Sequence, residues 1–418
     1  MTEIKPETGL NQSTSSITEI LDLGLAAAKQ QDWLLVINYL RLLPLTKTSL
    51  ADGDWERTFD LTLEVLAQGD FQQKWEIAKI LPLLGKPIIE PLATLLQDET
   101  VEVEVRWFIC RILGQFADKT VVIALIELLQ QTTETELITI AGETLTKIGT
   151  AAIDGLVDLL AQPQYRCLAA QSLAYIRTTE TITPLLAIAH DPQPEIRTLV
   201  IEALGSFHDE RIPPILIASL QDTASAVRIQ SAIALGFRPD LCTELSLVAH
   251  LQPLLYDLNG EVCRQGAISL GRMKDESAST ALFEVLQQEL TPVGLKRDIV
   301  KALAWSEIEL AINYLQQALL NSIEPVAQEI ITVLGRISPP NLKPKSAQIL
   351  IDWYSQRSRG DSRIAPTCSP EIKNAIATSW GELGCNLALK PLQELSADEN
   401  RKVQLHAIAA LKKLSNRR

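Results

Sequence analysis

Two similar stretches follow one another near the middle of the chain and decide its fold. Residues 182–207 read ITPLLAIAHDPQPEIRTLVIEALGSF, and residues 212–237 read IPPILIASLQDTASAVRIQSAIALGF. Each stretch contains an apolar segment, a turn that begins with Asp, and a second apolar segment that closes with Leu-Gly. Self-similarity at a period of 20–50 residues is typical of proteins that stack short repeats.

The polar residues of the two stretches are placed alike. Asp191 precedes Arg197 by six residues, Asp222 precedes Arg228 by six, and the two arginines are 31 apart. We call the position of these arginines the key position. A turn Asp at the start of a helix satisfies free backbone N–H groups and favours a nearby cation. We therefore predict that these Asp and Arg residues form a structural ladder, in preference to a ligand-binding site.

The key position recurs eleven times, at intervals of 28 to 35 residues apart from one of 46. It is occupied by Lys74, Arg106, Ile138, Arg166, Arg197, Arg228, Cys263, Lys296, Ala327, Lys373 and Gln404. Glycine follows eight residues later at Gly114, Gly205, Gly236, Gly271, Gly335 and Gly381. Alanine is frequent two residues before this glycine position, and such small residues let helices approach closely. The pattern predicts an all-α fold: a right-handed α-solenoid of about eleven helix pairs behind an N-terminal helical cap.

Composition and spacing divide the chain into five parts. Residues 1–15 are polar and contain Pro and Gly, so we expect a disordered tail. Residues 16–70 predict helices that do not follow the repeat, and form the cap. Residues 71–353 carry most of the repeats. Residues 354–370 explain the long interval as a surface loop insertion, and residues 371–418 hold the last repeats and a C-terminal cap.

Charge and cysteine content limit the possible partners and compartments. There are 38 Lys and Arg against 51 Asp and Glu, a net charge of −13, which argues against nucleic acid as a partner. The six cysteines form no C-x-x-C pair, so we expect reduced thiols. We find no signal peptide and no apolar run of about 18 residues, and therefore expect a cytoplasmic protein without a membrane span.

The repeat as a whole, PLL-x-L-L-x-D-x-x-x-x-V-R-x-x-x-x-x-A-L-G at about 31 residues, resembles that of a known family. It is similar to the HEAT-like repeats of cyanobacterial phycobilisome lyases and their relatives, over roughly residues 71–414. The resemblance implies HEAT-like helix pairs and a cyanobacterial source. Relatives include bilin lyases, adaptors for phycobilisome degradation and a partner of an A-type iron–sulfur carrier, so the resemblance implies several functions.

The sequence favours binding over catalysis. None of the four histidines has a Cys or carboxylate at a motif spacing, and no phosphate loop, dinucleotide fingerprint or metal motif occurs. We expect a non-catalytic scaffold without a cofactor, which binds an acidic protein, a phycobiliprotein or an assembly factor. One alternative is a bilin lyase, lyase subunit or chaperone acting on phycobiliproteins, with a bilin as ligand. Another is a partner of an iron–sulfur cluster assembly carrier.

Two groups of residues are candidates for the partner-binding surface. Second helices line the concave side of such a solenoid. Positions one, two and five after the key position should face outward, because the apolar positions between them are buried. Trp75 and Trp107 occupy the first of these positions in adjacent repeats, and Phe108 the second. They predict an aromatic anchor for a partner, and the alternative is burial against the N-terminal cap.

The second group is basic. Arg264 and Arg297 occupy the same outward position in another two adjacent repeats, and Lys301 lies on the second of these helices. They predict a docking site for an acidic partner, and the alternative is a solvated face or an ion-pair ladder. In the lyase alternative the two arginines bind the propionates of a tetrapyrrole, and Trp75 or Trp107 stacks on its rings.

Overall fold

The computed structural model describes residues 16–45, 50–358 and 368–416, and the regular structure in these ranges is entirely helical. The chain forms two compact units, one ending at Ile188 and the other beginning at Ala189. The predicted all-α solenoid of repeated helix pairs is confirmed within each unit.

The first unit contains eleven α-helices in its described residues. They are α1 Ile17–Lys29, α2 Trp33–Leu40, α3 Asp52–Gln68, α4 Phe71–Ile80, α5 Ile89–Gln97, α6 Val103–Leu113, α7 Lys119–Gln131, α8 Thr135–Ile148, α9 Ile153–Leu160, α10 Arg166–Ile176 and α11 Ile182–Ala187. The key position lies on α4, α6, α8 and α10, which pack side by side as the second helices of their repeats.

The second unit continues the same arrangement. Its helices are α12 Pro194–Leu204, α13 Ile212–Ser219, α14 Ser225–Gly236, α15 Leu247–Leu251, α16 Gly260–Arg272, α17 Glu276–Gln287, α18 Val293–Ser306, α19 Glu309–Asn321, α20 Glu324–Gly335, α21 Lys343–Ser358, α22 Pro370–Leu383, α23 Leu389–Leu395 and α24 Arg401–Ser415. The even-numbered helices are the second helices, and each packs against the next even-numbered one.

The N-terminal helices begin where their capping residues predict. The Ser16 hydroxyl accepts a hydrogen bond from the Glu19 N–H at 3.2 Å, and α1 starts at the next residue. The Asp32 carboxylate accepts from the Leu35 N–H at 3.0 Å and starts α2. Such side-chain oxygens satisfy N–H groups that have no partner within the helix.

Where glycine stands eight residues after the key position, the second helices meet at a seam that leaves no room for a side chain. A Cβ on Gly205 would lie 2.6 Å from the Cβ of Ala234, and one on Gly271 would lie 2.6 Å from the Ala302 carbonyl oxygen. In each case the glycine stands eight residues after the key position of its own repeat. It meets the residue that stands six after the key position of the next repeat. The predicted close approach of the second helices is therefore confirmed.

When the residue that meets the seam glycine, six after the key position, is serine, its side chain adds a hydrogen bond. Ser269 donates to the Ala232 carbonyl of the preceding second helix at 2.7 Å, and Ser379 donates to that of Ile331 at 2.9 Å. Both hydroxyls are buried, so the bond also satisfies a polar group that would otherwise be costly to bury. The apolar core lies between first and second helices, and Leu204 and Leu235 are fully buried there.

The predicted loop insertion begins later than expected. Helix α21 continues to Ser358, so residues 354–358 are helical, and α22 starts at Pro370. The physical reason is that Trp353 is buried and the Arg357 guanidinium lies 4.5 Å from the centre of its ring, which extends the helix by a turn. Residues 359–367, and the predicted disordered tail at 1–15, lie outside the described residues.

The seam can be tested with two glycines of the same helix. Gly271→Ala should destabilise the protein by about 1–3 kcal/mol, because backbone atoms of α18 must move to admit the methyl group. Gly260→Ala is the matched control, since a Cβ there meets nothing within 4 Å. Urea denaturation of both variants measures the difference. Equal midpoints for the two would show that the seam is not tightly packed.

Candidate partner-binding surfaces

Two of the four arginines at the key position, Arg197 and Arg228, tie their own turn to the next one. Arg197 donates to both carboxylate oxygens of Asp222, Nε to Oδ2 at 2.8 Å and Nη2 to Oδ1 at 2.7 Å. Its Nη1 donates to the Asp191 carbonyl of its own turn at 2.8 Å. Asp222 also accepts from the Ala224 N–H at 2.8 Å, at the start of the next second helix. One guanidinium therefore holds two successive turns.

The next repeat copies this arrangement. Arg228 donates to both oxygens of Asp257 at 2.8 Å and to the carbonyl of Asp222 at 2.7 Å. Two key residues other than Arg keep the bond to their own turn: Cys263 Sγ lies 3.1 Å from the Asp257 carbonyl oxygen, and Gln404 Nε2 donates to the Asp398 carbonyl at 2.7 Å. The arginines bond to carboxylates and carbonyls of the chain itself, and the same geometry recurs in successive repeats. The predicted structural ladder is therefore confirmed.

Burial and hydrogen bonding oppose each other at the ladder carboxylates. Burial by itself raises the pKa of Asp222, but the bonds from Arg197 and the Ala224 N–H stabilise the charged form more. The net pKa therefore lies below its ordinary value, and Asp257 behaves in the same way for the same reasons. The folded protein consequently holds these carboxylates ionised at a lower pH than the unfolded chain does.

An aromatic cluster lies on the second helices of the first unit, where the sequence predicts an anchor. Trp75 and Trp107 are both partly exposed. The Arg111 guanidinium lies 4.3 Å from the Trp75 ring centre and 5.2 Å from the Trp107 ring centre. Phe71 is exposed and stacks on Trp75 with 5.9 Å between ring centres. We call Phe71, Trp75, Trp107 and Arg111 the aromatic–arginine cluster.

Phe108 does not face outward, contrary to the prediction. It is fully buried, and its ring centre lies 5.5 Å from that of Phe71 and 6.4 Å from that of Trp75. The reason is the seam: positions two and six after the key position share one side of the helix, and that side faces the preceding second helix. Phe108 therefore supports the two tryptophans from behind.

Sequence reasoning did not single out Arg111. It stands five residues after the key position and four after Trp107, a spacing that places two side chains on one face of a helix. That spacing was a readable signal, whereas the contact with Trp75 of the preceding repeat required the packed structure. A cation over two aromatic faces is stabilised by their negative quadrupoles and is held in place.

A groove of about 870 Å³ adjoins the cluster. It lies across α6, α8 and α10, with Arg111, Lys147 and Glu143 as its charged lining and Tyr165 and Tyr175 at its far side. Desolvation lowers the pKa of Lys147, and the charge of Arg111 lowers it further. Two cations therefore face the same space without a carboxylate within ion-pair distance in the described residues.

The three basic residues of the second unit are paired with carboxylates. Arg264 contacts Glu261 at 2.9 Å and Asp298 at 3.8 Å, and Lys301 contacts Asp298 at 3.3 Å. Arg297 contacts Glu329 at 2.8 Å. The three cations thus face three carboxylates, so the group has no excess positive charge. Of the two interpretations, these contacts favour the ion-pair ladder.

Within the described ranges, the structure contains no cluster of three or more His, Cys, Asp or Glu that could hold a metal ion. In the same ranges no helix combines the length and the apolar character needed to cross a membrane. All six cysteines are free, and burial raises the pKa of the Cys110 thiol to about 12.

The repeat geometry agrees with a known family. A family model described as HEAT repeats matches residues 153–236. Both units have the HEAT-repeat solenoid fold. No curated protein matches the chain, so the phycobilisome-lyase type implied by the sequence resemblance is not confirmed.

Solved structures resemble the chain at low sequence identity. Kap121p bound to Nup53p shares 13% identity with a TM-score of 0.50, over 97% of this chain and 55% of that one. Kap121p bound to the extreme C-terminus of the protein phosphatase Cdc14p shares 14%, also at 0.50, over 96% and 54%. An engineered protein shares 18% at 0.33, over 91% and 98%. The chain spans little more than half the length of Kap121p, and the likeness shows the fold alone.

The ladder predicts an acid-sensitive contribution to stability. Asp222→Asn should cost about 1.5–3 kcal/mol at pH 7, since the bonds to Arg197 lose their charged acceptor. Because the folded pKa is lowered, this contribution is fully present above the unfolded pKa of about 4 and is lost as pH falls through the folded value. The difference between wild type and variant in urea denaturation should therefore shrink below pH 4.

An exposed aspartate without partners provides the control for the ladder. Asp60 lies on the solvent side of α3 and makes no hydrogen bond or ion pair within the described residues, so Asp60→Asn should change the denaturation midpoint little at pH 7. If Asp222→Asn is as mild as Asp60→Asn, the ladder does not contribute to stability.

Proposed function

We propose that this protein is a non-catalytic scaffold that binds a partner protein on the second helices of its first unit. The observation that carries the proposal is the stack of Trp75, Arg111 and Trp107, which is partly exposed beside a groove of about 870 Å³. The fold supports the proposal, because HEAT-repeat solenoids offer long surfaces suited to protein partners.

The residue types in the stack are those that contribute most to interface energy. Trp, Tyr and Arg are enriched among the residues whose truncation weakens protein complexes most. Here the Arg111 guanidinium is already stacked on both tryptophans, and Phe108 fixes them from below. Little side-chain freedom remains to be lost on binding, which favours affinity.

The charges of the groove indicate the chemistry of the partner. Arg111 and Lys147 repel each other across the groove, and Glu143, which also lines it, forms an ion pair with neither within the described residues. A partner carboxylate placed between the two cations would remove that repulsion. Partner side chains of apolar character would cover the tryptophans and Tyr175, which is exposed. The partner we propose therefore carries an acidic residue next to an apolar one, in agreement with the acidic partner expected from the sequence.

The similar solved structures support binding of a protein segment, whereas the sequence resemblance leaves two alternatives to test. The Kap121p structures are described as bound to Nup53p and to the C-terminus of Cdc14p, so a solenoid of this fold can hold a protein segment. A bilin lyase or an iron–sulfur carrier partner stays a prediction from the sequence resemblance. Co-expression with a bilin supply, followed by absorption spectroscopy, tests the lyase alternative.

Replacement of one tryptophan tests the proposed surface. Proteins captured from a native lysate by the immobilised chain are compared between wild type and Trp107→Ala. A true partner should bind Trp107→Ala about thirtyfold more weakly in a subsequent Kd measurement, because a central aromatic anchor contributes about 2 kcal/mol or more. Most of that change should appear as faster dissociation.

Ile123 supplies the control. It is an exposed apolar residue on α7, a first helix, so Ile123→Ala removes apolar surface away from the proposed site. The partner should bind Ile123→Ala as it binds wild type. A partner that binds Trp107→Ala normally, while circular dichroism shows both variants folded, would place its docking surface elsewhere.

The basic group of the second unit has its own test. Because Arg264 and Arg297 are paired with carboxylates, Arg264→Gln/Arg297→Gln should change partner affinity by less than about threefold. The salt dependence of binding should also stay as in wild type. A tenfold loss at low salt that disappears at high salt would instead support the docking site predicted from the sequence.

A further inference from the structure

Four side chains of the second unit form a row that the repeat analysis did not single out. They stand nine residues after successive key positions, at the exposed ends of α14, α16, α18 and α20. They are Phe237, Arg272, Trp305 and Arg336. Each follows directly after the seam position, so the close packing of the second helices fixes their spacing. Aromatic and basic side chains alternate along this row.

The aromatic members are unusually exposed for their type. Phe237 is 63% exposed and Trp305 is 50% exposed. The Arg272 guanidinium lies 4.3 Å from the centre of the Phe237 ring, which joins one repeat to the next. Large aromatic side chains usually lie inside or at interfaces, so their exposure in a regular row indicates a binding surface.

The basic members lack the partners that other cations of this unit have. Within the described residues, neither Arg272 nor Arg336 makes an ion pair, whereas nearby Arg238 pairs with Asp240 and Lys274 with Glu307. A cation at the C-terminal end of a helix is favoured by the helix dipole, which would explain the presence of each arginine by itself. It does not explain the exposed Phe and Trp that alternate with them.

We propose that this row binds an extended segment of another protein in which apolar and acidic residues alternate at every third position. Adjacent packed helices are about 8–10 Å apart. A polyproline II segment rises about 9.3 Å per three residues and presents every third side chain on one face. Its apolar side chains lie on Phe237 and Trp305, and its carboxylates pair with Arg272 and Arg336. The acidic character of the rest of the chain directs such carboxylates to these two cations.

Three synthetic decapeptides of identical composition, labelled with a fluorophore, test the spacing by anisotropy. The first is acetyl-LPPEPPLPPE-amide, and the second is acetyl-EPPLPPEPPL-amide, which allows for the opposite chain direction. The third, acetyl-LPEPPPLPEP-amide, brings each acid one residue closer to the preceding leucine. One of the first two should bind at least about tenfold more tightly than the third, and its Glu→Gln version should bind about tenfold more weakly.

Protein variants locate the binding to the row. Arg272→Gln/Arg336→Gln should weaken the better peptide about tenfold or more and reduce its salt dependence, and Trp305→Ala should also weaken it. The charge-matched control Arg401→Gln/Lys402→Gln changes two exposed cations at the start of α24, away from the row, and should leave binding as in wild type. Failure of all three peptides to bind at about 1 mM overturns the proposal. Equal binding by both double variants also overturns it.

Discussion

Contact between successive second helices without an intervening side chain is the constraint on which the rest of this protein depends. Glycine on one helix meets a small residue on the next at a distance that excludes even a methyl group. Because the helices must approach this closely, the residues one, five and nine after the key position are carried to fixed intervals along one surface. Trp75, Trp107 and Arg111 of the first unit and the row of the second unit stand at these positions, so their spacing follows from the packing of the second helices.

The Arg–Asp ladder provides hydrogen-bond partners for the turns that connect the stacked helices. Stacked helices leave a series of turns whose backbone groups need partners, and Arg197 and Arg228 each bond the carbonyl of their own turn and the carboxylate of the next. Since the same guanidinium serves two repeats, its contribution belongs to the interface between repeats. This agrees with repeat proteins generally, in which stability is carried by nearest-neighbour interfaces.

Some surface cations form ion pairs within the chain, and others remain available to a binding partner. In the sequence, Arg264, Arg297 and Lys301 could not be distinguished from an unpaired basic group. In the fold each has a carboxylate partner. Arg111 and Arg272 instead lie against aromatic rings, an arrangement that holds the guanidinium in place and leaves its hydrogen-bond donors available. A cation stacked on an aromatic ring is therefore a better sign of a binding surface here than a cluster of basic residues.

The sequence by itself determined the repeat, the helix pairs, the buried leucines and the ladder, because these depend on residues at fixed separations along the chain. Only the tertiary structure decided that Phe108 is buried and that Arg111 joins Trp75 to Trp107. It alone also showed that the basic group of the second unit is neutralised. The first two outcomes depend on which side of a helix its neighbour covers, and the partner of Arg297 lies 32 residues away in sequence. Arg264 and Lys301 instead pair most closely with carboxylates three residues away on their own helices. Helical periodicity gives the angle of a side chain around its own helix, but the position of the neighbouring helix is set by packing between repeats.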